Sequence, residues 1–197
     1  RQFEALTCAQ MAAFSPILFD LDGTLVDSSG DIAAAVNRTL AGLDLPALPT
    51  DEIVSFVGDG VRRLMERTFD RLGVGGVDAA VARFKREYRE RCLEATRPYP
   101  GLPALLTALD PTPMAVVTNK PAAFARQILS GLDLQAHFTA VVGGDEAALK
   151  PDPAPVLLAI ERLGRAGPPA DGRGLMVGDH ENDVAAGRAA GLSTCGV

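Results

Sequence analysis

The chain has 197 residues, of which 47% are hydrophobic and 22% are charged, and its formal net charge is −6. A chain of this composition can bury a core, which excludes an intrinsically disordered protein. The negative charge argues against a nucleic acid or an anionic membrane surface as the main partner.

The first predicted element is a buried strand that begins at Ile17 and ends in two carboxylates, Asp20 and Asp22, followed by Gly23. A short apolar run bounded by turn residues is typical of a strand in a parallel sheet, and ligands bind beyond the carboxyl ends of such strands. Residues two apart on an extended chain point to the same side, so a cation such as Mg²⁺ is expected between the two carboxylates. One carboxylate could attack phosphorus while the other protonates the leaving group, and Gly23 would let the backbone approach a phosphate. The alternative for this stretch taken alone is an acidic turn after a strand.

The full string from Asp20 to Ser28, Asp-Leu-Asp-Gly-Thr-Leu-Val-Asp-Ser, resembles the first motif of the haloacid dehalogenase superfamily in its phosphatase form. The dehalogenases themselves lack the second aspartate, which is present here as Asp22. The resemblance implies that Asp20 is the nucleophile that forms an aspartyl phosphate. It also implies that Asp22 acts first as general acid and then as general base.

The alternation of strands and helices stops after the first motif for about seventy residues, far longer than a usual loop. This predicts a helical insertion over residues 27–97. Apolar periodicity and capping residues predict helices over 31–43, 51–56, 61–72 and 78–96. The resemblance implies that this segment is a cap over Asp20. The alternative is a helical subdomain that only stabilises the core.

A second buried strand is predicted over 114–117, and it ends at Thr118-Asn119-Lys120-Pro121. A hydroxyl and backbone amides between a strand and a helix N-terminus can cradle a phosphate. The string resembles the second motif of the superfamily, which implies that Thr118 and the neighbouring Asn119 bind phosphate. The longer string Val117–Pro121 resembles the phosphoglycolate phosphatase branch.

Lys150 follows a third predicted strand, over 138–142, and is followed by a proline. It resembles the third motif, which implies that its ammonium offsets the negative charge of Asp20 and of the phosphoryl group. Without that context, a lysine before proline would be expected simply to face solvent.

A fourth strand is predicted over 175–177, and Asp179 and Asp183 follow it. They resemble the fourth motif, whose acids complete the Mg²⁺ site. The resemblance implies that Mg²⁺ lies between Asp20, the backbone carbonyl of Asp22 and Asp179, with Asp183 acting through water or through neighbouring groups. His180 stands where many relatives have serine, and we expect an exposed loop residue there with no assigned role.

These elements predict an α/β fold with a doubly wound, mostly parallel sheet, similar to the Rossmann-like core of the superfamily. The core is expected from residues 1–26 and 98–197, with the all-helical cap inserted at 27–97. A last strand is predicted over 192–197. Relatives usually continue with another strand and helix, so we expect a member shortened at its C-terminus.

The predicted function is Mg²⁺-dependent hydrolysis of a phosphate monoester. A small phosphorylated acid such as 2-phosphoglycolate is favoured, because the cap string Phe56–Leu64 also resembles phosphoglycolate phosphatases. Its carboxylate needs a partner beyond the phosphate cradle. The helix that begins at Gly58–Gly60 offers N-terminal amides, and Arg62 in its first turn is expected to bind the carboxylate. Arg63 is expected to face solvent.

Other functions remain compatible with the motifs. A phosphosugar mutase or a pyrophosphatase would share the core and differ in the cap, and a signalling or non-catalytic module could be phosphorylated on aspartate. The expected partner is a small-molecule phosphate ester bound by a monomer or homodimer. Cys8, Cys92 and Cys195 have neither metal spacing nor the even count of a disulfide framework, and the first ten residues lack a signal-peptide pattern. With no apolar run near the roughly 20 residues that span a bilayer, the expected location is the cytoplasm.

Overall fold

The structure, a computed structural model, describes residues 8–197, with side chains from residue 10 onward. It contains these strands: β1 (Ile17–Phe19), β2 (Val26–Asp27), β3 (Arg97–Pro98), β4 (Met114–Val117), β5 (Ala140–Val142), β6 (Leu175–Gly178) and β7 (Ser193–Gly196). Five of them form one sheet in the order β5-β4-β1-β6-β7, and every neighbouring pair is parallel. The predicted α/β fold with a mostly parallel sheet is confirmed.

The helices are α1 (Cys8–Met11), α2 (Ser29–Ala41), α3 (Thr50–Val54), α4 (Gly60–Leu72), α5 (Val77–Arg91), α6 (Leu102–Ala108), α7 (Ala122–Gly131), α8 (Ala154–Arg162) and α9 (Glu181–Ala189), with a 3-10 turn at Gln135–His137. The largest difference from the predicted bounds is the end of α5, which stops at Arg91 rather than near residue 96. No helix among residues 8–197 combines the length and the apolar character needed to span a membrane.

Alternating side chains of the sheet build two buried layers. On β1, Ile17 and Phe19 belong to one hydrophobic cluster, whereas Leu18 belongs to the other. The layer that contains Leu18 is completed by α8 and α9, through residues such as Ile160 and Ala186. The opposite layer continues from the sheet through α7 into α2, α4 and α5. Strands buried on both faces explain why the sequence shows continuous apolar runs rather than alternation.

The strand order places β1 at the centre of the sheet. The chain moves outward from β1 to β4 and β5, and then returns to the other side of β1 as β6 and β7. The carboxyl ends of β4, β1 and β6 therefore lie side by side where the strand order reverses. Such a switch point is the usual ligand site of a doubly wound sheet.

Helices α2 to α5 lie between two short strands that the sequence did not predict. β2 and β3 pair antiparallel, so that Val26 faces Pro98 and Asp27 faces Arg97. Next to this ladder, the buried Asp31 carboxylate accepts hydrogen bonds from the amides of Ala95 and Thr96 at 2.8 Å each. These contacts hold the returning chain in a non-helical conformation, which is why α5 ends early. The division into core and cap stays a prediction, and we call residues 27–97 the cap segment.

Candidate active site

A cavity of about 570 Å³ lies at the carboxyl ends of β1, β4 and β6. Its floor is polar and carries side chains from the ends of these strands. Its opposite wall comes from the cap segment and includes apolar side chains such as Val57, Leu64 and Phe84. The site therefore combines a charged floor with a largely apolar cover.

Asp20 and Lys150 form an ion pair in the floor. The Lys150 ammonium donates hydrogen bonds to Asp20 Oδ1 at 2.8 Å, to Asp183 Oδ1 at 2.5 Å and to the carbonyl of Val117 at 2.7 Å. Burial raises the pKa of Asp20 to about 6, with a further contribution from Asp183 that Lys150 opposes. Burial thus makes the charge of the Asp20 carboxylate costly, and Lys150 offsets part of that cost.

Asp22 lies in different surroundings. Its Oδ1 accepts a hydrogen bond from the Lys120 ammonium at 2.6 Å and another from the Ser28 hydroxyl. The same ammonium donates to the Tyr88 hydroxyl at 2.7 Å, and both Lys120 and Tyr88 are buried. Burial works against the charge of Lys120, but Asp22 and Tyr88 outweigh it and raise its pKa above the ordinary value. Asp22 is thus held by a permanent cation that reaches across to the cap segment.

Thr118 and Asn119 follow β4 and have separate roles. The Thr118 oxygen accepts a hydrogen bond from the Lys120 amide at 3.2 Å, so its own O–H is available toward the cavity. The Asn119 side chain is committed to the protein. It donates to the carbonyls of Gly58 and Lys150 at 2.9 and 3.0 Å and accepts from the Lys150 amide at 2.8 Å. The Asn119 side chain thus ties the third motif and the cap segment to the second motif, and the predicted phosphate contact of Asn119 stays a prediction.

Three carboxylates are close enough to hold a cation. Asp20, Asp179 and Asp183 can each present one oxygen so that the three oxygens lie within 4.8 Å of one another. Burial and the neighbouring Asp183 also raise the pKa of Asp179 above its ordinary value. A dense group of carboxylate oxygens is the kind of donor set that fits Mg²⁺. The Asp22 side chain is not in this group, because it is bonded to Lys120 and Ser28.

Gly23 makes room for Asp179. A Cβ atom at this position would lie 2.1 Å from Asp179 Oδ2, and the backbone φ of Gly23 is +86°. Both facts require glycine here. The observed close approach at Gly23 is to the Asp179 carboxylate, and the predicted approach to a phosphate stays a prediction.

Asp183 and His180 shape the first turn of α9. The backbone amide of His180 donates to Asp183 Oδ2 at 3.1 Å, and His180 Nδ1 accepts from the Asn182 amide at 3.2 Å. This reciprocal cap fixes the end of β6 against the helix. Because both Asp183 oxygens already accept protein hydrogen bonds, the residue positions Lys150 and the β6 loop.

One loop of the cap segment is hydrogen-bonded to two asparagines of the floor. Asn182 Nδ2 donates to Asp59 Oδ1 at 2.7 Å, and Asn119 holds the carbonyl of Gly58. On the cap side, Arg67 donates to the other Asp59 oxygen and to the Phe56 carbonyl. We call residues 56–60, with these contacts, the cap latch.

Comparison with known proteins identifies the family. The family model described as haloacid dehalogenase-like hydrolase matches residues 17–197. The chain belongs to the haloacid dehalogenase-like hydrolases. The predicted superfamily is thereby confirmed, and so is the prediction of an enzyme.

Individual relatives agree with this assignment. A phosphoglycolate phosphatase of Aquifex aeolicus (strain VF5) is 40% identical over 182 residues, which are 90% of this chain and 82% of that protein. A phosphoglycolate phosphatase of Escherichia coli (strain K12) is 37% identical over 205 residues, with 92% and 80% of the two chains covered. The crystal structure of a predicted phosphoglycolate phosphatase from Haemophilus somnus 129pt superposes with a TM-score of 0.86 at 30% identity, covering 93% of this chain and 85% of that one.

In this hydrolase, Arg62 does not reach the cavity, which corrects the expected carboxylate contact. Its side chain is 61% exposed and pairs with the exposed Asp78 at 2.5 Å. The physical reason is helical geometry. Val61 and Leu64 on the same helix line the cavity. At about 100° per residue, Arg62 lies on the side of the helix that faces away from the cavity. Arg63 is also exposed, as expected, and pairs with Glu66.

Sequence reasoning missed three contributors to the site of this hydrolase: Ser28, Tyr88 and Lys120. Lys120 stands inside the second-motif string, and its position just beyond a strand end was the available signal. Helical periodicity places Tyr88 on the apolar side of α5 with Phe84, and only the tertiary structure brings its hydroxyl to Lys120.

Proposed function

We propose that this chain is a Mg²⁺-dependent phosphomonoester hydrolase that acts through an aspartyl phosphate on a small phosphorylated acid such as 2-phosphoglycolate. The observation that carries the proposal is the pair Asp20 and Asp22 in the floor of the cavity, each bonded to its own buried lysine. The names of the relatives support the choice of substrate.

In the first step, an oxygen of Asp20 forms a bond to phosphorus while the bond to the ester oxygen breaks. In the same step, Asp22 acts as general acid and gives a proton to the leaving oxygen. In the second step, water attacks phosphorus, Asp22 takes the proton back, and the bond to Asp20 breaks. The products are the alcohol and inorganic phosphate.

In this proposal, Thr118 binds the phosphoryl group and Lys150 stabilises its charge. The free O–H of Thr118 donates to a phosphoryl oxygen, and the Lys150 ammonium keeps Asp20 in place and offsets the charge that gathers in the transition state. Positioning and electrostatics of this kind are expected to supply most of the rate in phosphoryl transfer.

Asp20 and Asp179 would hold Mg²⁺ directly, with Asp183 beside them. Bound there, the ion would neutralise phosphoryl charge and orient the phosphate. The cytoplasmic location and the monomeric or dimeric state stay predictions.

The test is turnover of phosphate esters by the wild type and by Asp20→Asn. The wild type should release phosphate from 2-phosphoglycolate with Mg²⁺ and lose this activity in EDTA. Asp20→Asn should fold and show no turnover, because the amide cannot attack phosphorus. Phosphate release that persists in EDTA, or a phosphoryl group trapped on a residue other than Asp20, would refute the proposal.

A further inference from the structure

Lys120 is the cavity lysine with a hydrogen-bond donor to spare. An ammonium has three N–H groups. All three of Lys150 are used, by Asp20, Asp183 and the Val117 carbonyl. Lys120 uses two, on Asp22 and Tyr88, so within residues 8–197 it is the lysine of the floor that can offer an N–H to a ligand.

We propose that Lys120 binds the carboxylate of the substrate and selects phosphate esters whose carboxylate is attached to the carbon that bears the ester oxygen, an inference that rests on the proposed function. The sequence assigned this contact to Arg62, which the structure places outside the cavity. Lys120 takes over that role as a specificity-determining residue.

The proposed role of Asp22 as general acid fixes where the substrate carboxylate must lie relative to Lys120. A general acid must come within about 2.6–3.2 Å of the oxygen that it protonates. In a 2-phospho acid, the carboxylate carbon is attached to the carbon that carries this oxygen. Lys120 Nζ lies 2.6 Å from Asp22 Oδ1, so it adjoins the space that such a carboxylate must occupy. A carboxylate one carbon further along the substrate would lie beyond this point.

The charge of the cavity gives the energetic reason. Two lysines, Lys120 and Lys150, line the cavity. The aspartates that line it number five: Asp20, Asp22, Asp27, Asp179 and Asp183. A further carboxylate that entered without a cation would be buried among like charges, which is strongly unfavourable. Lys150 is saturated, whereas Lys120 has a spare donor in a buried position. The apolar side chains of the cover, such as Phe84, do not offset the charge of a carboxylate.

The experiment compares two esters that differ in one group. 2-Phosphoglycolate carries a carboxylate where 2-hydroxyethyl phosphate carries a neutral hydroxymethyl group. Lys120→Met should lower kcat/KM for 2-phosphoglycolate by about 10- to 150-fold more than for the neutral ester, the range expected for a hydrogen bond to a charged group. A lysine that only supports Asp22 would affect both esters by the same factor, and equal losses would overturn the proposal.

Lys85→Met is the matched control. Lys85 is exposed on α5, so this change removes the same charge from the surface and should leave the ratio of the two esters unchanged. Glycolate, with hydrolysis of nitrophenyl phosphate as the readout, gives a second measurement. Glycolate should inhibit the wild type and the control competitively. Its inhibition constant for Lys120→Met should be at least tenfold higher.

A conservative variant keeps the test valid if Lys120→Met fails to fold. Lys120→Arg retains the charge and should preserve part of the preference for 2-phosphoglycolate. If this variant turns over the neutral ester normally but shows no preference for 2-phosphoglycolate, the result would count against the proposal.

The wild type itself should prefer 2-phosphoglycolate over 3-phosphonooxypropanoate, whose carboxylate is one carbon further away. If the wild type cleaves esters without any such preference, this inference fails alone. If it cleaves no ester, the proposed function fails.

Discussion

Two carboxylates that stand two residues apart have different environments in this hydrolase. Asp20 is bonded to Lys150, whereas Asp22 is bonded to Lys120 and Ser28. Residues of the same type can take different roles when they contact different partners. The separate partners are consistent with the proposed roles, Asp20 as nucleophile and Asp22 as acid and base.

Asp22→Asn tests this division. The amide cannot deliver a proton to the leaving oxygen, so kcat for 2-phosphoglycolate should fall by about 10²- to 10⁴-fold. Nitrophenyl phosphate, whose leaving group needs little protonation, should lose much less in the first step. Burst kinetics with nitrophenyl phosphate separate that step from hydrolysis of the aspartyl phosphate. If Asp22→Asn slows the nitrophenyl phosphate burst by as large a factor as it lowers kcat for 2-phosphoglycolate, the acid role would be contradicted.

At the scale of elements, Asp31 joins the two ends of the cap segment. This buried carboxylate on α2 accepts the amides of Ala95 and Thr96 and the Thr96 hydroxyl, all within 3.0 Å. The amides have no helical partner, because α5 has already ended at Arg91. One side chain therefore replaces the backbone bonds that a longer helix would have made.

Asp31→Asn should lower the free energy of unfolding by about 2–4 kcal/mol, because the amide NH₂ faces donors and leaves buried N–H groups unpaired. Urea denaturation measures the loss. Asp44→Asn is the control, since Asp44 is exposed with φ near +55°, a conformation that asparagine tolerates. If the two variants unfold at the same urea concentration, Asp31 does not carry this junction.

The cap latch is a second junction between elements. Two asparagines of the floor, Asn119 and Asn182, hold the backbone and side chain of the loop at Gly58 and Asp59. These hydrogen bonds link opposite walls of the cavity. The latch therefore couples the position of the cover to the loops that carry Lys150 and Asp183.

Asn182→Ala should loosen the latch, because Asp59 Oδ1 loses its partner from the floor. Amide hydrogen exchange of residues 56–60 should become faster, by a factor of roughly 5–10 for about 1 kcal/mol of lost hydrogen bonding. Glu181→Ala, next to it on the exposed side of α9, should leave this exchange unchanged. Unchanged exchange in Asn182→Ala as well would show that the loop is held by other contacts.

At the scale of the whole molecule, a surface ion-pair cluster, which we call the clamp, connects helices that cover the two buried layers. Glu146 follows β5 and bonds to Arg126 of α7 and Arg162 of α8. Burial alone would raise the pKa of Glu146, but the Gly143 amide and the two arginines outweigh it and lower the pKa to about 2. The clamp thus joins helices from opposite faces of the sheet at its β5 edge.

Glu146→Gln should destabilise the protein by roughly 1 kcal/mol at neutral pH, a value reduced for solvent screening. A lowered folded-state pKa stabilises the fold fully above the ordinary pKa, and this stabilisation is lost as pH falls. The difference between wild type and variant should therefore shrink from below pH 4.5 and vanish near pH 2. Thermal unfolding across this range is the measurement, with Glu161→Gln as an exposed control on α8. A difference that does not depend on pH would exclude the ionised clamp.

The sequence by itself determined the family, the sheet and most of the site. The apolar strands that precede Asp20, Thr118 and Asp179 follow from short apolar runs, and parallel strands bring their carboxyl ends together. Lys150 was predicted from its motif, and the structure places it on Asp20. Local pattern was sufficient here because these residues stand directly at strand ends.

Only the tertiary structure decided the contacts between the cap segment and the floor. Arg62 and Tyr88 both stand on cap helices, and helical periodicity alone does not say which face the floor will meet. Folding turns Arg62 to solvent and brings Tyr88 to Lys120, across 32 residues of sequence. The early end of α5 likewise depends on Asp31, which is 64 residues from Ala95. Such contacts join residues distant in the chain, so their energies leave no local pattern in the sequence.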